Sequence, residues 1–136
     1  MDVKNDLGGG KPTLLIAEDE ESNYLLLKTI LHKYCNLIRA KTGLEALALF
    51  KENEVDLILM DIKMPVMDGY QVLNTIRNME KQRGIEGDDR VKIIMMTALN
   101  EQKNVRKAFE MGCTVYCAKP VDLDKLKNVL KKLKLI

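Results

Sequence analysis

The chain has 136 residues, of which 46% are hydrophobic and 31% charged, and its formal net charge is +2. That length suits one domain able to bury about two-thirds of the surface its unfolded form exposes, and the composition excludes a disordered or collagen-like chain. So small a charge implies no polyanionic partner, and no run of about 18 apolar residues suggests a membrane span.

The opening MDVKNDLGGGK is polar and glycine-rich and lacks the apolar core of a signal peptide. Residues 1–11 are therefore expected to be a flexible leader, and residues 12–136 a single domain working in the cytoplasm. Gly8 to Lys11 has neither a preceding strand nor the spacing of a phosphate-binding loop.

Thr13 to Ala17 (TLLIA) is a short continuous apolar run, as expected of a strand covered on both faces. Leu27, Ile30, Leu31 and Tyr34 follow at the spacing of a helix face, and His32, the only histidine, falls near the helix end, where a cation suits the dipole. Asn36 to Ala40 (NLIRA) mixes polar and apolar residues and suits a sheet edge. Gly43, Ala46, Leu47 and Phe50 form a second helical stripe, and Val55 to Met60 (VDLILM) a third strand. Asp68 precedes a third stripe of Val72, Leu73, Ile76 and Met79, and its side chain can accept from the free N–H groups there. Lys81 to Arg90 (KQRGIEGDDR) is long for a helix-to-strand link and reads as a solvated loop.

Ile93 to Thr97 (IIMMT), a stripe of Val105, Ala108, Phe109 and Gly112, and Val115 to Ala118 (VYCA) come next. Asp122 then precedes a last stripe of Leu126, Val129, Leu130 and Leu133. Such alternation predicts an α/β fold, with parallel strands joined by right-handed crossovers and helices on both faces. Cys35, Cys113 and Cys117 are odd in number and lack paired metal-ligand spacing, so they read as small buried hydrophobes.

Polar residues collect where the strands stop: Glu18 and Asp19 after the first, Asp61 after the third, Thr97 at the end of the fourth, Lys119 after the fifth. In an open α/β sheet, ligands bind outside the carboxyl ends of the strands, where the strand order reverses, so these five residues are expected in one cleft. Two like charges about 4 Å apart repel by about 4 kcal/mol at an effective dielectric near 20, so three carboxylates in contact call for a cation. Oxygen-only ligation, completed by waters and a phosphoryl oxygen, describes Mg2+ better than zinc or calcium. Lys119 adds an ammonium and Thr97 a hydroxyl, a set suited to stabilising a phosphoryl group in transfer. Asp61, central among them, is the candidate nucleophile, and the product is an aspartyl phosphate.

These residues resemble the receiver domains of two-component response regulators. The resemblance spans about residues 12 to 136 and rests on AEDE (17 to 20), LILMDIKMPVMDG (57 to 69), MMTA (95 to 98) and YCAKP (116 to 120), in that order. It implies the flavodoxin-like strand order 2-1-3-4-5. It also implies that Asp61 is the phosphoacceptor, and that Asp19, Asp61 and the backbone carbonyl of Lys63 bind the metal directly. Glu18 corresponds to an acidic position, often aspartate, whose contact with the metal frequently runs through water. Thr97 and Lys119 match the phosphoryl-binding hydroxyl and ammonium, Ala98 leaves room for the phosphoryl, and Tyr116 matches the switch aromatic. Phosphorylation would draw Thr97 inward and let Tyr116 rotate, altering the surface of the fourth helix, fifth strand and fifth helix. Pro65 stiffens the loop after the nucleophile, Gly69 relieves crowding at the third helix, and Pro120 follows a cis peptide.

The implied function is a phosphoryl-accepting switch whose partner is a histidine kinase or histidine phosphotransfer protein, with no direct nucleic-acid or membrane contact and with scope for a phosphorylation-dependent dimer. The chain catalyses only its own phosphorylation and dephosphorylation. Asn23, four residues past Asp19, and the long loop before the fourth strand are similar to receivers of hybrid sensor kinases. Two departures stand out: Val91 and Lys92 occupy the region before the fourth strand where a proline is common, and Lys63 holds a position that varies and tunes phosphoryl lifetime.

Two other classes fit less well. An aspartate-nucleophile phosphatase usually needs a second acid two residues past the nucleophile, where Lys63 stands. A nucleic-acid module would rest on Lys125, Lys127, Lys131, Lys132 and Lys134, but these flank an apolar stripe with no accompanying aromatics.

Overall fold

The structure is a computed structural model that describes residues 10–98 and 105–136. The expected leader lies outside the described residues except for Gly10 and Lys11. Each short apolar run forms a strand: β1 (Thr13–Ala17), β2 (Asn36–Ala40), β3 (Leu57–Asp61), β4 (Lys92–Ala98) and β5 (Val115–Lys119). Each helical stripe forms a helix: α1 (Glu21–Leu31), α2 (Gly43–Glu52), α3 (Gly69–Gln82), α4 (Val105–Glu110) and α5 (Leu123–Lys132). All strand pairs are parallel, in the order β2-β1-β3-β4-β5, the flavodoxin-like order expected.

Strand alternation divides the core in two. Leu15, Ile58, Met60, Ile93 and Met95 face Ala46 and Leu47 of α2, Val72, Leu73 and Ile76 of α3, and Ala108 of α4. Leu14, Ile16, Leu57, Leu59, Ile94 and Met96 face Leu27 and Leu31 of α1 and Leu126 and Leu130 of α5. Helices therefore cover both faces, and the buried central strands needed the continuous apolar runs seen in the sequence. β5 and most of β2, at the edges, are only half-buried.

Capping residues set where the helices begin. Asp68 accepts from the Gln71 N–H while the Gln71 side chain accepts from the Asp68 N–H, both at 2.9 Å, a reciprocal cap. Asp122 Oδ1 accepts from the N–H groups of Asp124 and Lys125 at 3.0 and 3.1 Å. Thr42, which the pattern of apolar residues did not single out, caps α2 by accepting from the Glu45 N–H at 3.1 Å. His32 follows α1, and its ring Nδ1 lies 3.0 Å from the Lys28 carbonyl oxygen.

Several boundaries differ from expectation. β3 runs from Leu57 to Asp61 rather than from Val55, because its ladders with β1 and β4 both begin at Leu57 and the one with β4 continues to the Asp61–Met96 pair. Asp61 is thus the last residue of the strand, and Lys119 likewise ends β5. Tyr34 falls beyond α1 and is exposed, with the Lys127 ammonium 5.3 Å from its ring centre. Phe109 is 49% exposed, so it is not part of the core. Gly112 lies past α4 with φ +101, a conformation that ends a helix rather than lining its face. Within the expected loop, Lys81 and Gln82 complete α3 and Gly87–Asp89 forms a 3-10 turn. Among the described residues, no helix is long and apolar enough to cross a membrane.

Candidate functional site

The chain crosses from one face of the sheet to the other at β1 and β3, so a crevice opens at their carboxyl ends. Glu18 follows β1 directly and is fully buried, Asp19 is exposed at the rim, and Asp61 ends β3 with 5% exposure. One carboxylate oxygen from each of the three falls within 4.8 Å of the others. Lys119 arrives from β5, and its Nζ donates to Glu18 Oε1 at 2.7 Å and to Asp61 Oδ2 at 2.9 Å. The peptide between Lys119 and Pro120 is cis.

The second carboxylate oxygen of Glu18 and that of Asp61 each accept from a backbone N–H. The Glu20 N–H donates to Glu18 Oε2 at 3.2 Å, and the Lys63 N–H to Asp61 Oδ1 at 3.3 Å. Burial is the largest influence on Asp61 and, together with the Glu18 charge, pushes its carboxyl up to about 6 despite the opposing Lys119 ammonium. Burial pulls the Lys119 ammonium down, but its hydrogen bonds to Glu18 and Asp61 outweigh this and leave it raised. At neutral pH Asp61 is therefore largely ionised and Lys119 charged.

The segment after Asp61 turns tightly. The Met67 N–H donates to the Pro65 carbonyl at 2.8 Å, and Val66 between them has φ +71, a costly conformation for a β-branched residue. Gly69 then passes so close to β3 that a Cβ there would meet the Asp61 carbonyl oxygen at 2.7 Å and Ile62 Cα at 2.9 Å. Only glycine fits.

Thr97 and Tyr116 reach the same end of the sheet differently. Asp61 is level with Met96 in the ladder, so Thr97 stands one residue beyond it on the neighbouring strand. Alternation turns Thr97 to the side shared by Met95, and Tyr116, paired with Met95, packs against the core of that same side. Thr97 is 2% exposed. Glu18, Asp61 and Lys119 therefore lie on the side of α1 and α5, with Asp19 close to them at the rim, and Thr97 and Tyr116 lie on the side of α2 to α4. The exposed Lys63 side chain adjoins the cluster through its backbone.

Three carboxylates with hard oxygen donors, two of them against one ammonium, form a set that fits a divalent cation such as Mg2+. A groove at the opposite end of the sheet, around Asp56, Glu80 and Val91, has no part in this cluster. Sequence reasoning passed over Arg39, which touches the backbone of Glu18, and the buried Glu80. A charged residue inside an edge strand was the available signal for the first.

The comparisons agree with this geometry. The family model described as "Response regulator receiver domain" matches residues 14–131. The chain is 30% identical over 120 residues to sporulation initiation phosphotransferase F of Bacillus subtilis, covering 88% of this chain and 90% of that protein. It is 35% identical over 134 residues to the osmolarity two-component system protein SSK1 of Saccharomyces cerevisiae, covering 83% of this chain but only 19% of that longer protein. The solved co-crystal of the yeast histidine phosphotransfer protein Ypd1 with the receiver domain of its response regulator Ssk1 superimposes with a TM-score of 0.83 at 35% identity, covering 90% of this chain and 88% of that one. With the family model spanning most of the chain and the acidic cluster at the expected strand ends, the protein belongs to the response regulator receiver domains.

Proposed function

We propose that Asp61 accepts a phosphoryl group from the phosphohistidine of a histidine kinase or histidine phosphotransfer protein, and that residues 12–136 are the receiver unit. The observation that carries this reading is the joining of Glu18, Asp19 and Asp61 with Lys119, which bridges two of the three carboxylates. The Ssk1 co-crystal with a phosphotransfer protein supports the choice of partner.

In the transfer, an Asp61 carboxylate oxygen forms the new O–P bond as the N–P bond of the donor breaks, and the imidazole nitrogen keeps the electron pair and takes up a proton. Asp61 must be ionised to attack, which its pKa of about 6 allows at neutral pH. Glu18, Asp19, Asp61 and the Lys63 backbone carbonyl would hold Mg2+, which supplies positive charge against the phosphoryl oxygens when bound. The Lys119 ammonium places a second positive charge beside Asp61, and Thr97 offers a hydroxyl donor. Thr97 and Tyr116 share one face of the sheet, which supports a switch in which Thr97 moves toward the phosphoryl and Tyr116 follows. That movement would change the surface of α4, β5 and α5, and a phosphorylation-dependent dimer would use this face. Pro65 and Gly69 shape the loop behind Asp61, and Pro120 fixes the exit from Lys119.

The chain on this reading turns over no external substrate and acts in the cytoplasm, promoting only its own phosphorylation and dephosphorylation. The position of Asn23 supports a receiver of a hybrid sensor kinase, which the full reading frame of the gene would decide. The central test is incubation with Mg2+ and a small acyl phosphate, read by mass spectrometry. One phosphoryl group is expected on Asp61, and incorporation that survives Asp61→Asn would end the assignment.

A further inference from the structure

Residues 18 to 21 are four consecutive acids, and α1 starts at Glu21, after Glu20, with no side-chain cap on its free N–H groups. A loop this charged and uncapped has little of its own to hold Glu18 and Asp19 in place. The Glu18 carboxylate is held by the Glu20 N–H and the Lys119 ammonium, and the Glu18 backbone is held from the edge of the sheet. Arg39 of β2 reaches over β1 so that Nε and Nη2 each donate to the Glu18 carbonyl oxygen at 3.3 Å, while Nη1 meets Glu21 Oε2 at 2.5 Å. Its guanidinium carbon lies 4.4 Å from the centre of the Tyr24 ring on α1. The Glu18 N–H donates to the Ala40 carbonyl at 3.0 Å, so both backbone polar groups of Glu18 are tied to β2. The Arg39 side chain is only 14% exposed. A planar fork can serve a carbonyl, a carboxylate and an aromatic face together, whereas a lysine ammonium cannot.

We propose that Arg39 is a positioning residue for the divalent-cation site, holding the Glu18 carbonyl and thereby the loop that presents Glu18 and Asp19. The inference rests on the phosphoacceptor reading above. Two effects of Arg39 oppose each other. Its positive charge should weaken cation binding, while its clamp should strengthen binding by keeping the donors in place. The charge is already paired with Glu21, so positioning dominates. Groups that orient metal ligands typically alter affinity by about 10- to 100-fold when removed.

The test is a Mn2+ titration of the full chain, followed by electron paramagnetic resonance at neutral pH, on the parent, Arg39→Gln, Arg39→Lys and Glu21→Gln. Both Arg39 variants should bind Mn2+ about tenfold more weakly, although lysine keeps the charge. Glu21→Gln, which spares the carbonyl contacts, should stay within about twofold. In phosphorylation by a small acyl phosphate, the Arg39 variants should need more Mg2+ yet reach the parent rate at saturation, which a general loss of folding would not produce. Tighter or unchanged Mn2+ binding by Arg39→Gln, or unchanged binding by Arg39→Lys, would overturn the positioning role. Absence of Mn2+ binding by the parent would instead overturn the cation site itself, and this inference with it.

Discussion

The Lys119 ammonium stands 2.9 Å from Asp61 Oδ2 and at the same time 2.7 Å from Glu18 Oε1. In the metal-free protein, one cation thus moderates the repulsion between two buried acids. Replacing it by a methionine of similar reach leaves both carboxylates uncompensated. Lys119→Met is expected to lose about 2 kcal/mol of stability at neutral pH, allowing for the partial exposure of the lysine. Saturating Mg2+ should restore much of this. Urea denaturation with and without Mg2+ measures both, and a loss that Mg2+ does not reduce would count against the shared site.

Asp61 gives the opposite sign. Its carboxyl is held at about 6 in the folded protein against 3.8 unfolded, so the folded state binds the extra proton between those values. Stability contributed by this group is therefore greatest below pH 3.8, falls as pH rises through the interval, and stays low above about 6. Asp61→Asn removes that cost. The variant should be more stable than the parent by about 1–2 kcal/mol at neutral pH without Mg2+. The advantage should shrink as pH falls from 6 toward 3.8, which parallel denaturation curves across that range will show.

Glu80 is 4% exposed, yet its oxygens are fully used: Oε1 meets Arg77 Nη1 at 2.6 Å and Oε2 accepts from the Val91 N–H at 2.7 Å. Arg77 also donates from Nε to the Gly112 carbonyl at 2.9 Å, joining α3 to the turns before β4 and β5. Glu80→Ala strands a buried guanidinium and a buried N–H group, and should cost about 3 kcal/mol. Mn2+ affinity, measured below the unfolding transition, should not change, because the network lies away from the acidic cluster.

Gly69→Ala places a methyl group against the Asp61 carbonyl and Ile62 Cα, both of which are backbone and cannot swing aside. The expected cost is about 2 kcal/mol, with slower phosphorylation on the reading proposed above, because the strain falls on the peptide of Asp61. Val66→Gly should do the reverse. It relieves a β-branched residue at φ +71 and should gain about 1 kcal/mol net of the added freedom of the unfolded chain. Calorimetric melting of the two variants checks both signs.

The sheet was legible because its central strands are buried on both sides, which writes them as uninterrupted runs such as LLIA and LILM. The acidic cluster was legible because parallel strands deliver their ends to one place, so residues far apart in sequence could be assigned to one crevice. Tyr34 and Gly112 went astray because periodicity continues on paper after a helix has stopped; His32 and the positive φ of Gly112 mark the actual ends. Thr42 could have been recognised from Thr-x-x-Glu ending at Glu45, whose side chain accepts from the Lys41 N–H at 3.1 Å. Glu80 could not. A glutamate beside an apolar stripe looks solvated until the arginine and the chain crossing above it are known.

The division of the core by the sheet has a consequence for where substitutions act. Glu18, Asp61 and the ammonium hang beside α1 and α5, while Thr97 and Tyr116 look toward α2, α3 and α4. The strands lie between the two sets, and at their carboxyl ends Thr97 stands only one residue beyond the level of Asp61. Substitutions among the acids and substitutions at Thr97 or Tyr116 therefore disturb different helices, α1 and α5 in the first case and α2, α3 and α4 in the second, and share only the ends of the strands.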